Sequence, residues 1–461
     1  MNKLSRRDFL KGAGMSAAGL ALAACGGKVT SPTAEPGSST SIPNIAAPTI
    51  AVPTIAVPKD VTLEIYDYDP TGTDYWVQAD KNFGEYFKEK YPHIKVNRTL
   101  APWTGYTEKF LTSVAGGAKY DVIYGWGGWR SLFIENNAIQ PLDDVVKADT
   151  TIDLSGFFDS AKEIVDGKLY GISWAHMPDF IWYNKTKTKV ANTPDPRTLA
   201  MNGQWDWDAL YAFAKALSKT QADGPTYGFS FVEMGTGEAM STYSVMLESL
   251  GGKLWSDDFK QSLINSPENV QFWDFMQKFF KEGLSPKPGS GGGLDPNVGF
   301  PGQRVTGFIT GPWNIRTAMQ DKWTANFDIG FAPLPKGSAG MFHTVYLNSY
   351  YLSHDTDKLD AAWTWYKERS FSNAANTFYL PVGTGRFPVR KDIAPQKEFD
   401  WEDTDIYNLI RPTMVSYKSS PKETEFSALF KTAFDEMVLG TRPIQTILDQ
   451  LAKDGTALVA G

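Results

Sequence analysis

Val61-Thr-Leu-Glu-Ile-Tyr66 alternates apolar and polar side chains, as a half-buried β-strand does. A helical stretch follows at residues 81–90, and further strand patterns stand at 94–98 and 121–124. Another helical stretch, residues 106–114, separates the last two strands. This alternation of strands with helices predicts an α/β fold with a mostly parallel sheet.

The same alternation continues toward the carboxyl end. We predict strands at 171–174 and 180–183 and helices at 206–218, 360–370 and 426–439. Asp206 is a suitable N-cap for its helix. Five apolar residues recur at helical spacing and predict a core-facing stripe on a helix that ends at Gly283. They are Phe272, Phe275, Met276, Phe279 and Phe280. Residues 285–301, rich in Gly and Pro, predict a loop.

The amino-terminal residues indicate export. Ser5-Arg-Arg-Asp-Phe-Leu-Lys11 is a twin-arginine motif, and Leu22-Ala-Ala-Cys25 is a lipobox. We therefore expect residues 1–24 to be a signal peptide, and Cys25 to carry a lipid that anchors the protein to the membrane outside the cytoplasm. Residues 25–60 lack helix or strand periodicity, are rich in Pro, Ser and Thr, and predict an extended linker.

Composition excludes several classes of function. Cys25 is the only cysteine, so no disulfide, thiol nucleophile or thiolate metal site is expected in the folded body. Without residues 1–24, which hold four basic residues and one acidic residue, 41 Lys+Arg face 51 Asp+Glu. This acidic balance disfavours nucleic acid as a partner. The roughly 400 residues beyond the linker predict two lobes rather than one.

No motif for catalysis or for cofactor binding stands out. The four histidines lack the i, i+4 spacing of a helical metal site. The glycine-rich segments lack the strand–GxGxxG–helix context and the P-loop pattern, and there is no GxSxG nucleophile elbow. We therefore expect no cofactor, no metal and no enzymatic activity.

Aromatic side chains in predicted loops are the strongest site candidates. Aromatic residues make up 14% of the chain, and 15 of them are Trp. Several follow predicted strands, where ligands of open α/β sheets bind. They are Trp103, Trp126, Trp129, Trp313, Tyr350 and Tyr351. Such rings can stack on the C–H faces of a sugar, although core packing is an alternative role for each of them.

Ordered sequence segments suggest a family. They are Ala115-Gly-Gly-Ala-Lys-Tyr-Asp-Val-Ile123, Leu142-Asp-Asp144, Asp166-Gly-Lys-Leu-Tyr-Gly-Ile172, Tyr183-Asn-Lys185, Trp205-Asp-Trp-Asp208, Gly311-Pro-Trp313 and Ala332-Pro-Leu-Pro335. In these segments and their order the chain resembles the extracellular solute-binding proteins of ABC importers. The resemblance is to their carbohydrate-binding group, which includes the maltose receptor.

The resemblance implies a two-lobe, type II periplasmic-binding-protein-like α/β fold with hinge crossovers near residues 170–174 and 330–334. Lobe 1 would hold residues 61–171 and 334–371. Lobe 2 would hold residues 172–333 and 372–461.

Site residues follow in part from the resemblance and in part from the aromatic pattern. Trp313 matches a stacking tryptophan of the family, Glu233 stands near an acidic sugar contact, and Trp126 falls one position from another stacking tryptophan. His176 stands near an acidic position of the maltose receptor, which puts maltose itself in doubt. The complete set of expected ligand contacts is Tyr68, Trp103, Trp126, His176, Glu233, Trp313, Tyr350 and Arg386.

The resemblance implies a monomeric, lipid-anchored receptor that captures a sugar or oligosaccharide and delivers it to an ABC permease. Two alternatives remain open. The same fold could bind a polyamine, a peptide or an organic acid, or the chain could be a lipoprotein that hydrolyses or cleaves glycans.

Overall fold

The computed structural model describes residues 60–70, 74–221, 224–231, 240–287, 296–315, 318, 321–379, 386–394, 403–420 and 422–460. Contacts divide the chain into Met1–Val57 and Pro58–Gly461, and every described residue lies in the second unit. The signal peptide, Cys25 and nearly all of the predicted linker therefore lie outside the described residues.

Thirteen strands are assigned within the described residues. They are β1 (Val61–Tyr68), β2 (Ile94–Ala101), β3 (Val122–Trp126), β4 (Lys162–Val165), β5 (Lys168–Ile172), β6 (His176–Pro178), β7 (Phe180–Asn184), β8 (Lys219–Gln221), β9 (Gly224–Thr226), β10 (Gly307–Thr310), β11 (Ile329–Ala332), β12 (His343–Leu352) and β13 (Met414–Ser416).

Fifteen α-helices accompany them in the same part of the chain. They are α1 (Asp74–Lys90), α2 (Tyr106–Ala115), α3 (Arg130–Glu135), α4 (Asp143–Ala148), α5 (Lys185–Val190), α6 (Pro196–Met201), α7 (Trp207–Leu217), α8 (Met240–Ser249), α9 (Pro267–Lys281), α10 (Pro296–Gly299), α11 (Leu359–Ser370), α12 (Asn373–Tyr379), α13 (Thr404–Ile410), α14 (Glu423–Leu439) and α15 (Ile444–Ala460). The mixed α/β class predicted from the sequence is confirmed.

Local sequence explains where the helices begin. The Asp206 carboxylate accepts from the backbone N–H of Ala209, which confirms this residue as the N-cap of α7. Ser266 caps α9 in the same way, with Pro267 in the first turn, where its missing N–H costs nothing. The apolar stripe of α9 is buried, as predicted, except that Phe275 is only partly covered.

The first sheet has the order β13-β12-β3-β1-β2, and β6 also pairs with β12. Strands β1, β2 and β3 run parallel, so their carboxyl ends meet at one edge. Strand β12 runs antiparallel to both β3 and β6. Its residues 345–347 pair with β6, and its residues 348–352 pair with β3, so this single strand continues from one half of the sheet into the other.

The second sheet, β10-β7-β11, corrects the expectation of mostly parallel pairing, because both of its pairs are antiparallel. More than a hundred residues separate β10 and β11 from β7 along the chain. These strands are therefore not joined to β7 by a short βαβ unit, in which the paired strands run parallel. A second correction concerns the predicted loop at 285–301. It contains the short helix α10, while residues 288–295 lie outside the described residues.

Three buried clusters form the cores. One joins β1, β3, α1 and α11, with Trp174, Tyr350 and Tyr379 among its members. The other two lie on opposite faces of β7, since Ile181 belongs to one and Trp182 to the other. Every second residue of a strand faces the same side, so the apolar β7 separates two packed layers.

Two paired strands of the first sheet, β12 and β6, carry buried histidines. His343 in β12 accepts the backbone N–H of Leu334 at Nε2 (2.9 Å), and its Nδ1 lies 3.0 Å from the Thr413 hydroxyl. His176 in β6 lies near Tyr407 and Ser160. Burial lowers the pKa of each histidine to about 3, so both are neutral near pH 7.

Acidification below pH 6.5 is therefore expected to destabilise the fold through these histidines. Below pH 6.5 the two histidines bind protons in the unfolded state but not in the folded state. The free energy of unfolding therefore falls by about 1.4 kcal/mol per histidine for each pH unit, down to about pH 3. In His343→Gln one of the two buried histidines is absent. The free energy of unfolding of this variant should therefore fall by about 1.4 kcal/mol less per pH unit than that of wild type. Urea unfolding of both proteins at pH 7, 6 and 5 measures this.

Burial also raises the pKa of Asp179 and of Glu423 to about 7, which acts in the opposite direction over the same pH range. Wild type and His343→Gln both contain these acids. Their contribution cancels when the unfolding free energy of the variant is subtracted from that of wild type at each pH. An equal slope in the two proteins would show that His343 becomes protonated in the folded state.

Candidate functional site

Four aromatic rings form a continuous row between the two sheets. We call Trp103, Trp126, Tyr346 and Trp313 the aromatic row. The ring centroids are 6.2 Å apart for Trp103–Trp126, 6.1 Å for Trp126–Tyr346 and 5.0 Å for Tyr346–Trp313. All four side chains are partly exposed. Part of each ring therefore stays accessible, and Trp103 also packs against the buried cluster of the first sheet.

The strand ends explain this convergence. Trp126 is the last residue of β3, and Trp103 follows the end of β2 by two residues. Trp313 follows β10 by three residues, and Tyr346 lies within β12. The carboxyl edge of the parallel strands is where open α/β sheets bind ligands, as the sequence analysis assumed.

Further rings extend the row on the side of the first sheet. Trp129 lies 4.6 Å from Trp103, and Tyr68 lies 5.9 Å from Trp103 and 6.0 Å from Trp76, between ring centroids. The guanidinium carbon of Arg386 is 4.3 Å from the centroid of the Trp76 ring, a cation–π geometry. Of the other predicted residues, Tyr68 therefore lies next to the row, and Arg386 lies over Trp76 on the far side of Tyr68.

Glycines set the positions of two tryptophans. The Trp126 ring covers Gly128, where a Cβ atom would lie 2.3 Å from the indole. The Trp313 ring covers Gly311 in the same manner, at 1.9 Å. Any side chain at either glycine would collide with the ring, so each indole occupies its place only because the residue two positions away is glycine.

A buried ion pair supports the loop that carries Trp126. Glu163 accepts from Nη1 of Arg130 (2.7 Å) and from the Tyr351 hydroxyl (2.8 Å), and it also contacts Ser349. The side chains of Arg130 and Glu163 are only 3% and 0% exposed. Because the charges are paired and hydrogen-bonded, they fix α3 and the preceding loop against β12.

A second buried carboxylate, that of Asp179, is joined to Tyr346 of the row through Thr242. The Thr242 hydroxyl donates to Asp179, and the same hydroxyl oxygen is 3.0 Å from the Tyr346 hydroxyl. Burial raises the pKa of Asp179 to about 7, and Thr242 only partly offsets this. The carboxyl group therefore carries a substantial negative charge only near and above neutral pH.

Two predicted site residues are covered by protein. Tyr350 is 1% exposed, its hydroxyl lies 3.2 Å from Asp67, and its ring faces Arg369. Its assignment to a loop was wrong, because β12 extends to Leu352. His176 is fully buried within β6. The proposed role of both residues as ligand contacts stays a prediction.

Glu233 and Cys25 lie outside the described residues, so their predicted roles stay predictions as well. Tyr346, Trp76, Asp179 and Thr242 were not predicted from the sequence, and Trp129 was a candidate ring but not one of the expected ligand contacts. Tyr346 could have been found from strand alternation, because it shares a face of β12 with Tyr350. Nothing in the sequence marks Asp179 among many carboxylates.

Within the described residues, no group of three or more His, Cys, Asp or Glu side chains could hold a metal ion. None of the described helices is both long enough and apolar enough to span a bilayer.

Family comparison places this geometry in a known context. Residues 70–368 match the family model described as bacterial extracellular solute-binding protein, and residues 3–23 match the twin-arginine translocation signal. Binding proteins of Brucella abortus and Brucella suis are 23% identical over 286 residues. These matches cover 61% of this chain and 64% of the relatives' length.

Solved structures resemble the whole folded body. An ABC substrate-binding protein of Listeria monocytogenes in complex with cycloalternan aligns with a TM-score of 0.73 at 20% identity, over 87% of this chain and 100% of its own. A sugar-binding protein of Xanthomonas citri aligns with a TM-score of 0.72 at 18% identity, over 87% of this chain and 97% of its own. A solute-binding protein of Thermotoga lettingae bound with α-D-tagatose aligns with a TM-score of 0.70 at 20% identity, over 86% of this chain and 99% of its own. The predicted two-lobe fold is confirmed.

We expect Gly128→Ala and Gly311→Ala each to displace one indole while leaving the fold intact. Neither glycine has a positive φ, so the methyl group strains the ring position rather than the backbone. The near-UV circular dichroism of each variant should change, and its unfolding midpoint should stay close to that of wild type. Gly84→Ala is the matched control, because a Cβ there meets no atom within 4 Å. Unchanged near-UV spectra in both cleft variants would contradict this account of ring placement.

Proposed function

Because the chain belongs to the family of bacterial extracellular solute-binding proteins, we propose that its cleft captures a sugar or oligosaccharide and delivers it to an ABC-type permease. The observation that carries the proposal is the aromatic row, which presents partly exposed rings from both sheets along one line.

The chemistry of the row suits a saccharide. A pyranose ring has apolar C–H faces and a rim of hydroxyl groups, so it can stack on an aromatic ring while its hydroxyls hydrogen-bond at the edges. A stacked contact contributes about 1 kcal/mol beyond simple burial. The hydroxyl groups of Tyr346 and Tyr68, and the Arg386 guanidinium over Trp76, are polar groups of this region that can supply donors and acceptors. The sugars named with the Listeria and Thermotoga structures support this class of ligand.

Ligand capture would couple to lobe closure. Trp103, Trp126 and Tyr346 extend from the first sheet, and Trp313 follows a strand of the second. A ligand that contacts both groups favours the closed arrangement through contacts that the open one lacks. We propose lobes of 61–171 with 334–371, and of 172–333 with 372–461.

Residues 3–23 match an export signal, so the protein works outside the cytoplasm. We further propose that Cys25 is lipidated and that residues 25–60 hold a monomeric receptor near its permease. Capture without catalysis is the proposed activity, because the matched family and the solved structures are binding proteins.

Trp313→Ala should weaken saccharide binding at least tenfold without unfolding the protein. Loss of one stacked ring removes about 1.4 kcal/mol or more of binding free energy, including the apolar area that the indole buries. A thermal-shift screen of wild type over mono- and oligosaccharides, polyamines, peptides and organic acids selects the ligand. Isothermal titration calorimetry then compares the dissociation constants of wild type, Trp126→Ala and Trp313→Ala.

Tyr211→Ala is the control, since this partly exposed ring lies on α7 next to Glu282 and outside the aromatic row. Its affinity should equal that of wild type. Full affinity in both tryptophan variants would remove the row from the binding site, and stabilisation only by non-sugar compounds would refute the saccharide assignment.

A further inference from the structure

Asp179 occupies the single position between β6 and β7, where the two sheets meet. On one side, Pro178 pairs with Val345, the neighbour of Tyr346. On the other side, Phe180 pairs with Thr310, three residues before Trp313. The strand register therefore places Asp179 where the aromatic row passes from Tyr346 to Trp313.

The charge of Asp179 has no cationic partner among the described residues. Its side chain accepts from Thr242, and no described Lys, Arg or His forms an ion pair with it. Other buried carboxylates of the same body are paired, Asp67 with Arg98 and Glu163 with Arg130. Asp179 is 2% exposed and has one hydroxyl donor, so most of the acceptor positions of its carboxylate are unused. Burying an ionised carboxylate in this state costs free energy.

We infer that the ligand carries a protonated amine that pairs with the Asp179 carboxylate, so that the substrate class is amine-bearing saccharides. This inference rests on the proposed function of the cleft. An ammonium group supplies the positive charge and three hydrogen-bond donors that the described chain does not supply to Asp179. The neighbouring faces of Tyr346 and Trp313 also attract a cation.

The surroundings favour this class over other cations. A metal ion requires several ligating side chains, and the described residues contain no group of three or more. A linear polyamine could pair with Asp179, but it has no ring whose C–H faces could stack on the aromatic row. An amino sugar uses both features, because its ring stacks on the row while its ammonium group reaches the carboxylate.

The test compares matched sets of ligands on wild type and on Asp179→Asn, which keeps the shape of the side chain and removes its charge. Each set contains an amino sugar, its N-acetyl form and the neutral parent sugar, built on glucose, galactose and mannose as mono- and disaccharides. Calorimetry at pH 7.5 gives the dissociation constants. Wild type should bind at least one amino sugar tenfold or more tightly than its two matched partners. Asp179→Asn should lose that preference, so that the amino sugar and its neutral parent bind this variant with dissociation constants within about twofold of each other.

Glu423→Gln is the matched control. Burial also raises the pKa of Glu423 to about 7, but this carboxylate already accepts from the Tyr417 hydroxyl and the backbone N–H of Ser420. The preference for the amine should persist in this variant.

Three outcomes would overturn the inference. Equal or weaker binding of every amino sugar relative to its neutral parent would refute it while leaving the proposed function intact. If Asp179→Asn still prefers the amino sugar over its matched partners, a group other than Asp179 binds the amine. Failure of every sugar in the wider saccharide screen would refute both this inference and the proposed function.

Discussion

The hydrogen bonds of β12 connect the two halves of the first sheet. Leu347 pairs with His176 of β6, and the next residue, Asn348, pairs with Trp126 of β3. Tyr346 therefore lies on the same face of β12 as the partner of Trp126 and within reach of its ring, which it meets at an angle of 17°. This register fixes the contact between Trp126 and Tyr346 within the aromatic row, and the site depends on it.

The row is held in place before any ligand arrives. Glycines leave room for the indoles of Trp126 and Trp313, and the Arg130–Glu163 pair fixes the loop after β3. A site arranged in advance loses less conformational entropy on binding, so more of the stacking energy appears as affinity. Asp179 differs from these supports, because its buried charge lacks a cationic partner among the described residues and gains most from a ligand.

The sequence predicted the α/β class and much of the row, because a ring that follows a parallel strand must lie at the strand's carboxyl edge. Trp103 and Trp126, at the ends of the parallel strands β2 and β3, follow that rule, whereas Trp313 follows the antiparallel strand β10. Tyr346 does not follow the rule, since it lies inside a strand whose length the sequence did not reveal, and Tyr350 was placed in a loop for the same reason. The antiparallel second sheet and the unpaired charge of Asp179 depend on contacts between distant segments, which spacing along the chain does not encode.

A crystal structure of the protein with a bound saccharide tests the central claim most directly. The account predicts closed lobes, with sugar rings stacked on Trp126 and Trp313 at carbon–carbon distances of about 4 Å and with Tyr346 between them. A saccharide bound elsewhere, or held in the cleft without contact to any of these three rings, would contradict it.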